Sequence, residues 1–241
     1  MQIKILGTGG AINNGLFYNS FLINEDLLVE SPPDIMHSLF REKIDRSKVS
    51  AIYISHFHAD HFFGLPFLIL RNFIDGFSTD IKLVGPEGIE ERIMETSIIA
   101  FGTEHPMQNW IRTHATFHEL SEEREITVNA QYKITPIKMF HSPDTYGFIL
   151  EYNDKKITYI ADTYWDDSLL KHFENADVVI IDLNGEGADN KVHLSENDLI
   201  QYVLPKIKKP GIKFYGTHLK ENKISENRSI RYLKPGDTLE I

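Results

Sequence analysis

The chain has 241 residues, 35 Asp+Glu against 25 Lys+Arg for a formal net charge of −10, 41% hydrophobic residues and no cysteine. That length can bury a large core unaided, and the absence of cysteine excludes a disulfide scaffold, a Cys-ligated zinc finger, an iron–sulfur cluster and thiol catalysis. The acidic balance argues against a protein that embraces nucleic acid over a broad surface. No window approaches the ~20 apolar residues of a membrane span, and the opening MQIKILGTGG is not a secretory signal, so a soluble, cytoplasmic protein is expected.

In chain order, residues 3–6, 17–23 and 27–30 read as strands, the first running into the glycine turn Gly7-Thr8-Gly9-Gly10. Residues 33–41 read as a helix. The compact apolar run AIYIS (51–55) reads as a buried strand. Helical patterns at 64–74 and 87–101 flank a strand at 81–84. Strands follow at 116–120, 126–128, 132–140, 147–152 and 156–161, with a polar loop at 121–125. The last third alternates helix (166–175), strand (178–182), helix (195–204) and strand (212–215). There is no internal repeat and no long linker, so one domain spanning 1–241 is expected. The alternation alone does not separate two sheets between helices from an open three-layer sheet.

Directly after the AIYIS run stands His56-Phe57-His58-Ala59-Asp60-His61. On extended backbone, residues two apart point the same way, so His56 and His58 can converge on one ion. A turn at Ala59 then aims Asp60 and His61 at a second point nearby. Imidazole and carboxylate suit Zn²⁺, and also Mn²⁺ or Fe²⁺. Four ligands do not complete two ions. Three further candidates each follow an apolar β-run: His141, Asp162 and His218. In α/β folds ligand-binding groups gather at such strand ends.

The order HxHxDH, His, Asp, His resembles the metallo-β-lactamase superfamily over most of the chain. The resemblance implies an αββα four-layer sandwich. It also implies one ion on His56, His58 and His141, a second on Asp60, His61 and His218, and Asp162 bridging both. The oxygen-reducing di-iron flavoproteins of that superfamily carry Glu where His58 stands, so a hydrolytic site is favoured. His193-Leu194-Ser195, some ten residues past the strand ending at Asp182, is similar to an element of the phosphodiesterase branch, which includes ribonuclease Z and the phosphoribosyl cyclic-phosphate phosphodiesterases. There this His faces the metals and an acidic residue at the preceding strand end holds it, which implies a His193–Asp182 pair. Gly7-Thr8-Gly9-Gly10-Ala11, His61-Phe62-Phe63-Gly64-Leu65-Pro66 and Val84-Gly85-Pro86-Glu87-Gly88 point to the same branch. Ser31-Pro32-Pro33-Asp34-Ile35 is similar to the pyrroloquinoline-quinone biosynthesis member.

Only twenty residues separate His141 from Asp162, which leaves no room there for the tRNA-gripping arm of ribonuclease Z. The expectation is therefore a metal-dependent hydrolase with two divalent ions, Zn foremost. Its expected substrate is a small phosphodiester or cyclic phosphate, with nucleic acid and membrane not expected as partners and a homodimer left open. Asp60 and Asp162 would orient the attacking water, and His193, held by Asp182, would protonate the leaving oxygen or stabilise charge. Two other readings compete: a lactone, thioester or β-lactam hydrolase on the same metals, and a non-hydrolytic biosynthetic member. Asn13, Asn14 and Asn19 could approach substrate. Phe57, Phe62, Phe63 and Phe67 could wall a nucleobase pocket, although Phe63 and Phe67 have core spacing. His37, His105, His114, His118 and His172 are expected to be surface or structural.

Overall fold

A computed structural model describes residues 1–77, 80–187 and 191–241. Apolar residues spaced by two make each strand of the first half two-faced. β1 (Gln2–Gly7), β2 (Ser20–Ile23), β3 (Leu27–Val29), β4 (Ala51–Tyr53), β5 (Ile81–Gly85) and β6 (Ala115–Glu119) lie side by side in that order. Ile3, Ile5, Phe21, Ile23, Leu27, Val29, Ala51 and Tyr53 face inward, where they meet the second sheet. Leu22, Leu28, Ile52 and Leu83 face outward. They are covered by α1 (Ile35–Arg41), α3 (Leu65–Ile74), α4 (Ile89–Phe101) and α5 (Met107–His114), while a single turn, α2 (Ala59–Phe62), follows β4. A one-residue slip in any of these strands would exchange the two faces, so the register is fixed by burial.

The second sheet takes the rest of the chain. β7 (Ile126–Val128), β8 (Tyr132–Lys138), β9 (Tyr146–Tyr152), β10 (Lys155–Ile160), β11 (Val178–Asp182), β12 (Lys213–Thr217) and β13 (Ile230–Tyr232) again pair in chain order, and β14 (Thr238–Glu240) returns to pair with β1. β9 and β10 are joined by Asn153 and Asp154, both left-handed (φ 48° and 61°), which is the two-residue turn that matches strand twist. Leu169, Phe173, Leu194, Leu199 and Val203 cover the outer face of this sheet. The expected αββα sandwich is the fold found.

Topology places the chemistry. β3, β4, β5 and β6 run parallel in one sheet, and β10, β11, β12 and β13 run parallel in the other. Their carboxyl ends meet at one edge of the sandwich. The Tyr146 amide donates to the Ser55 carbonyl there (3.0 Å), and the Tyr53 hydroxyl donates to the carbonyl of Gly147 (3.0 Å), tying the sheets together.

Several expected elements differ. The strand expected at 17–23 begins only at Ser20, because the Phe17 carbonyl is taken by the amides of Thr8 and Gly9. The helix expected at 166–175 is a 3₁₀ segment, Asp167–His172, started by Asp166 accepting from the Ser168 amide. The helix expected at 195–204 starts with a reciprocal capping box between Ser195 and Asp198, then widens to a π-turn over Leu199–Val203. Helix α5 and the three-residue strands β13 and β14 were not expected. Among the described residues no helix is long and apolar enough to cross a membrane.

Candidate metal centre

Extended backbone at His58 (φ −66°, ψ 149°) lets His56 and His58 converge, and the turn α2 that begins at Ala59 swings Asp60 and His61 to the adjoining point. His56 Nε2 lies 3.0 Å from His58 Nδ1, and His141 Nε2 lies 3.3 Å from the same atom. Asp162 Oδ2 stands 3.9 Å from Nε2 of both His56 and His141. Next to this group, His218 Nε2 is 3.2 Å from His61 Nε2 and 3.1 Å from Asp60 Oδ2, and His61 Nε2 is 3.4 Å from Asp60 Oδ2. Asp162 faces this second group too, with Oδ1 3.5 Å from His61 Nε2 and Oδ2 3.5 Å from His218 Nε2.

These spacings can be tested against an ion. Four donors at ~2.0–2.1 Å around a tetrahedral centre stand ~3.3–3.4 Å apart. The second group matches that edge length closely, and the first matches it with Asp162 slightly withdrawn. Asp162 Oδ1 is also buried and, among the described residues, accepts no hydrogen bond. A buried carboxylate oxygen left so would be costly without a cation. The donor set fits divalent metal binding.

Electrostatics agree with that reading. Burial pushes the His61 and His218 imidazoles toward the neutral form, but the carboxylates outweigh it. Asp162 and Glu30 raise His61 well above the ordinary range, and Asp162 and Asp182 push His218 up to about 10. Asp60 and Asp162 are held far below the usual carboxylate range, where burial is outweighed by those imidazoles. His56, buried among other imidazoles, moves the other way. Without cations the carboxylates draw protons onto the rings; a metal ion supplies the same positive charge in their place.

The rings are aimed by a second set of groups. Ser55 Oγ is 2.9 Å from His56 Nδ1. Glu30, fully buried and left-handed (φ 64°), sets Oε1 3.4 Å from His61 Nδ1; it also accepts from the Tyr159 hydroxyl (3.0 Å) and the Ser55 amide (3.1 Å). Asp182 Oδ2 is 2.7 Å from His193 Nδ1, while its Oδ1 accepts from the Asn184 amide (2.9 Å) and stands 3.4 Å from His218 Nδ1. Carboxylates behind ligating imidazoles fix tautomer and orientation. Nothing in the sequence motifs singled out Glu30, and only the pairing of Asp182 with His193 was expected. Asp182 also backs His218.

The glycine turn has a structural reason. Neither Gly9 nor Gly10 is left-handed. A Cβ on Gly10 would stand 3.0 Å from the His218 ring, and the Gly10 amide donates to the Leu219 carbonyl (2.9 Å). The turn therefore passes under the left-handed His218 (φ 60°) and holds it in place. Asn19 does not face substrate. It is buried, donating to the Tyr159 hydroxyl and accepting from Thr217. Asn13 caps its own turn, and Asn14 reaches exposed Glu221. Phe62 is core, whereas Phe63 and Phe67, expected inside by their spacing, are about half exposed. His105 and His114 lie against aromatic rings.

Comparison with known proteins agrees with the fold. The chain is 28% identical over 176 residues to a ribonuclease Z of Listeria monocytogenes serotype 4a, covering 70% of this chain and 55% of that one. It thus spans about half the length of the curated relatives it matches. Human tRNase Z, short form, superposes with a TM-score of 0.75 at 18% identity, covering 100% of this chain and 99% of that one. A diphosphatase of the PhnP family superposes equally well (TM-score 0.75, 18% identity, 100% and 97% coverage). The metallo-β-lactamase fold and the resemblance to its ribonuclease Z-like branch are borne out. One expectation is overturned: relatives named as ribonucleases remove the ground for setting nucleic acid aside. Net charge sums the whole surface, whereas phosphates would meet the local charge of an ion-bearing cluster. A family model, that of the anti-Pycsar protein Apyc1, matches residues 1–238, and the chain belongs to that family.

Proposed function

We propose that this chain is a metal-dependent phosphodiesterase with two divalent ions, acting on a small phosphodiester or cyclic phosphate. The observation that carries the reading is the pair of donor groups that Asp162 faces from either side, with the His193–Asp182 pair at their edge. His56, His58 and His141 would hold one ion, Asp60, His61 and His218 the other, and Asp162 both. Two such ions, Zn²⁺ foremost, would supply Lewis-acid stabilisation of the phosphoryl oxygens and ease deprotonation of the attacking water.

The remaining work falls to side chains of this protein. Asp60 and Asp162 orient the attacking water through their carboxylate oxygens. His193 Nδ1–H donates a hydrogen bond to Asp182 Oδ2, which leaves Nε2 as the atom that delivers a proton to the departing oxygen. His193 is half-buried, with its ring centroid 5.8 Å from that of His141 and 5.3 Å from that of His218, so it borders both groups. Its own Nδ1 is engaged by Asp182 and is not counted as a ligand.

The test compares leaving groups. His193→Ala should retain both metals and lose on the order of 10²-fold in kcat on an alkyl-leaving phosphodiester, with a much smaller loss on p-nitrophenyl diesters. Loss of metal would make His193 a ligand, and a loss independent of leaving group would make it a binding residue. A substrate panel of nucleoside cyclic phosphates, an RNA with a 3′ extension and lactones decides the substrate class. Turnover of RNA alone or lactones alone would overturn the small-phosphodiester reading.

A further inference from the structure

The chain contains two Asn-Gly steps, Asn14-Gly15 and Asn184-Gly185, and both flank the glycine turn that supports His218. In such a step the backbone nitrogen of the glycine can attack the carbonyl carbon of the asparagine side chain, because the glycine has no Cβ to hinder the approach. The bond from that nitrogen to Cγ forms, the Cγ–Nδ2 bond breaks, and ammonia leaves with the proton of the glycine amide. Water then opens the cyclic imide at either carbonyl, leaving an aspartate or its β-linked isomer. The route needs a glycine amide that can be freed from its hydrogen bond, on backbone with room to turn.

The two steps differ in both respects. Gly185 is buried, and its amide donates to the Leu194 backbone carbonyl at 2.7 Å. A Cβ there would lie 2.4 Å from the His193 carbonyl oxygen and 2.6 Å from that of Leu194, so this loop has no room to turn. The Asn184 amide is engaged as well, by Asp182 Oδ1 (2.9 Å). Gly15 is exposed at φ 90°, and nothing lies within 4 Å of its Cβ position. Its amide donates to Asn13 Oδ1 (3.0 Å) at the surface, an acceptor it shares with the Leu16 amide (2.6 Å).

Asn14 is also a clasp. The segment directly after His218 is tied to this loop three times: the Gly10 amide donates to the Leu219 carbonyl (2.9 Å), the Asn14 amide to the Lys220 carbonyl (2.7 Å) and Asn14 Nδ2 to the Glu221 carboxylate (3.2 Å). We propose that Asn14 is a site of spontaneous deamidation, and that the reaction turns the last of these ties into two facing carboxylates. The donor is lost and like charges then push the loop away from residues 219–221, which loosens the hold on His218. The change is irreversible, so the altered fraction grows with the age of the molecule. The modification is independent of the phosphodiesterase reading; its effect on metal binding rests on His218 being a ligand.

The folded, metal-loaded protein would be aged at mildly alkaline pH and physiological temperature, then digested and mapped by mass spectrometry beside protein aged in urea. The unfolded chain should deamidate at both Asn-Gly steps, and the folded chain at Asn14 while Asn184 stays intact. In chelator competition, Asn14→Asp should weaken metal binding at the Asp60, His61 and His218 group by about threefold, the scale of one exposed charge contact. Adding Glu221→Gln to that variant should recover most of the loss, since it removes the facing charge. An Asn14 that stays intact in the folded protein, or conversion of Asn184 at an equal rate, overturns the modification site. An Asn14→Asp protein with unchanged affinity, or one that Glu221→Gln does not rescue, overturns the loosening of His218. If the protein binds no metal but Asn14 still converts selectively, the metal-centre reading fails and the modification site stands.

Discussion

Glu30 offers the most direct test of how the centre is built. Its side chain is a buried acceptor with two engaged ends: Oε2 takes the Ser55 amide, and Oε1 takes the Tyr159 hydroxyl and faces His61 Nδ1. Glu30→Gln keeps the shape but replaces one acceptor with a donor. If the amide nitrogen faces Ser55, two donors oppose each other; if it faces His61 and Tyr159, the ring loses its orienting acceptor. Either flip leaves one buried donor unsatisfied, a cost of about 1–3 kcal/mol in unfolding free energy. Loss of the group behind a ligating imidazole typically weakens metal binding by about 10–100-fold. On the proposed two-ion arrangement, that loss should fall on the Asp60, His61 and His218 group more than on the His56, His58 and His141 group. Chelator competition resolving the two affinities, with urea unfolding of the metal-free protein, reads both effects. Two unchanged affinities with an unchanged unfolding midpoint would refute the argument that Glu30 aims His61.

Asp162→Ala should lower metal content at both groups at once, because the residue faces each of them; full metal content by elemental analysis would refute the bridging assignment. Asp182→Asn should show a milder form of the leaving-group dependence of His193→Ala. Unlike that variant, it should also weaken the ion at His218, since Asp182 backs both rings, and the comparison needs only metal titration and the two substrates. Gly10→Val should displace the His218 ring, which a Cβ at Gly10 would already approach to 3.0 Å, and cut second-ion affinity by more than its effect on thermal stability. Equal losses would return the turn to a purely structural role.

The fold was legible because burial enforces the period. In β2, β3 and β4 every second residue enters the inter-sheet core and the residue between enters the helix-covered face, so the strands were visible as continuous apolar runs. What escaped was structure made by partners distant in sequence. β13 and β14 are three residues long and exist because β12 and β1 offer them unpaired edges. Helix α5 did carry a signal, with Met107, Trp110 and Ile111 buried at helical spacing, but it is short and follows a Gly/Pro-bearing loop. The half-exposed Phe63 and Phe67 show the converse: an apolar spacing that the packing leaves facing out.

At the site, the division between legible and hidden residues follows chemistry. Candidate ligands announce themselves because metal binding needs several rare donors close together, and HxHxDH concentrates four of them in six residues. Residues that aim those donors need only one acceptor in the right place, and a lone Glu in the sequence 30-ESPP-33 carries no such signature. Its left-handed backbone and complete burial do carry one, as does the left-handed His218 across the centre. Strained backbone persists only where surrounding contacts over-determine it. Here those contacts are Ser55 and Tyr159 for Glu30, and the Gly10–Leu219 pairing for His218. The two sheets thus contribute matching devices, a buried carboxylate behind one imidazole of each, Glu30 for His61 and Asp182 for His218. The two rings that those carboxylates back are the pair whose Nε2 atoms stand 3.2 Å apart. On the proposed mechanism, removing either carboxylate should therefore weaken metal binding at the same donor group, whereas only removal of Asp182 should also change the protonation of the leaving group.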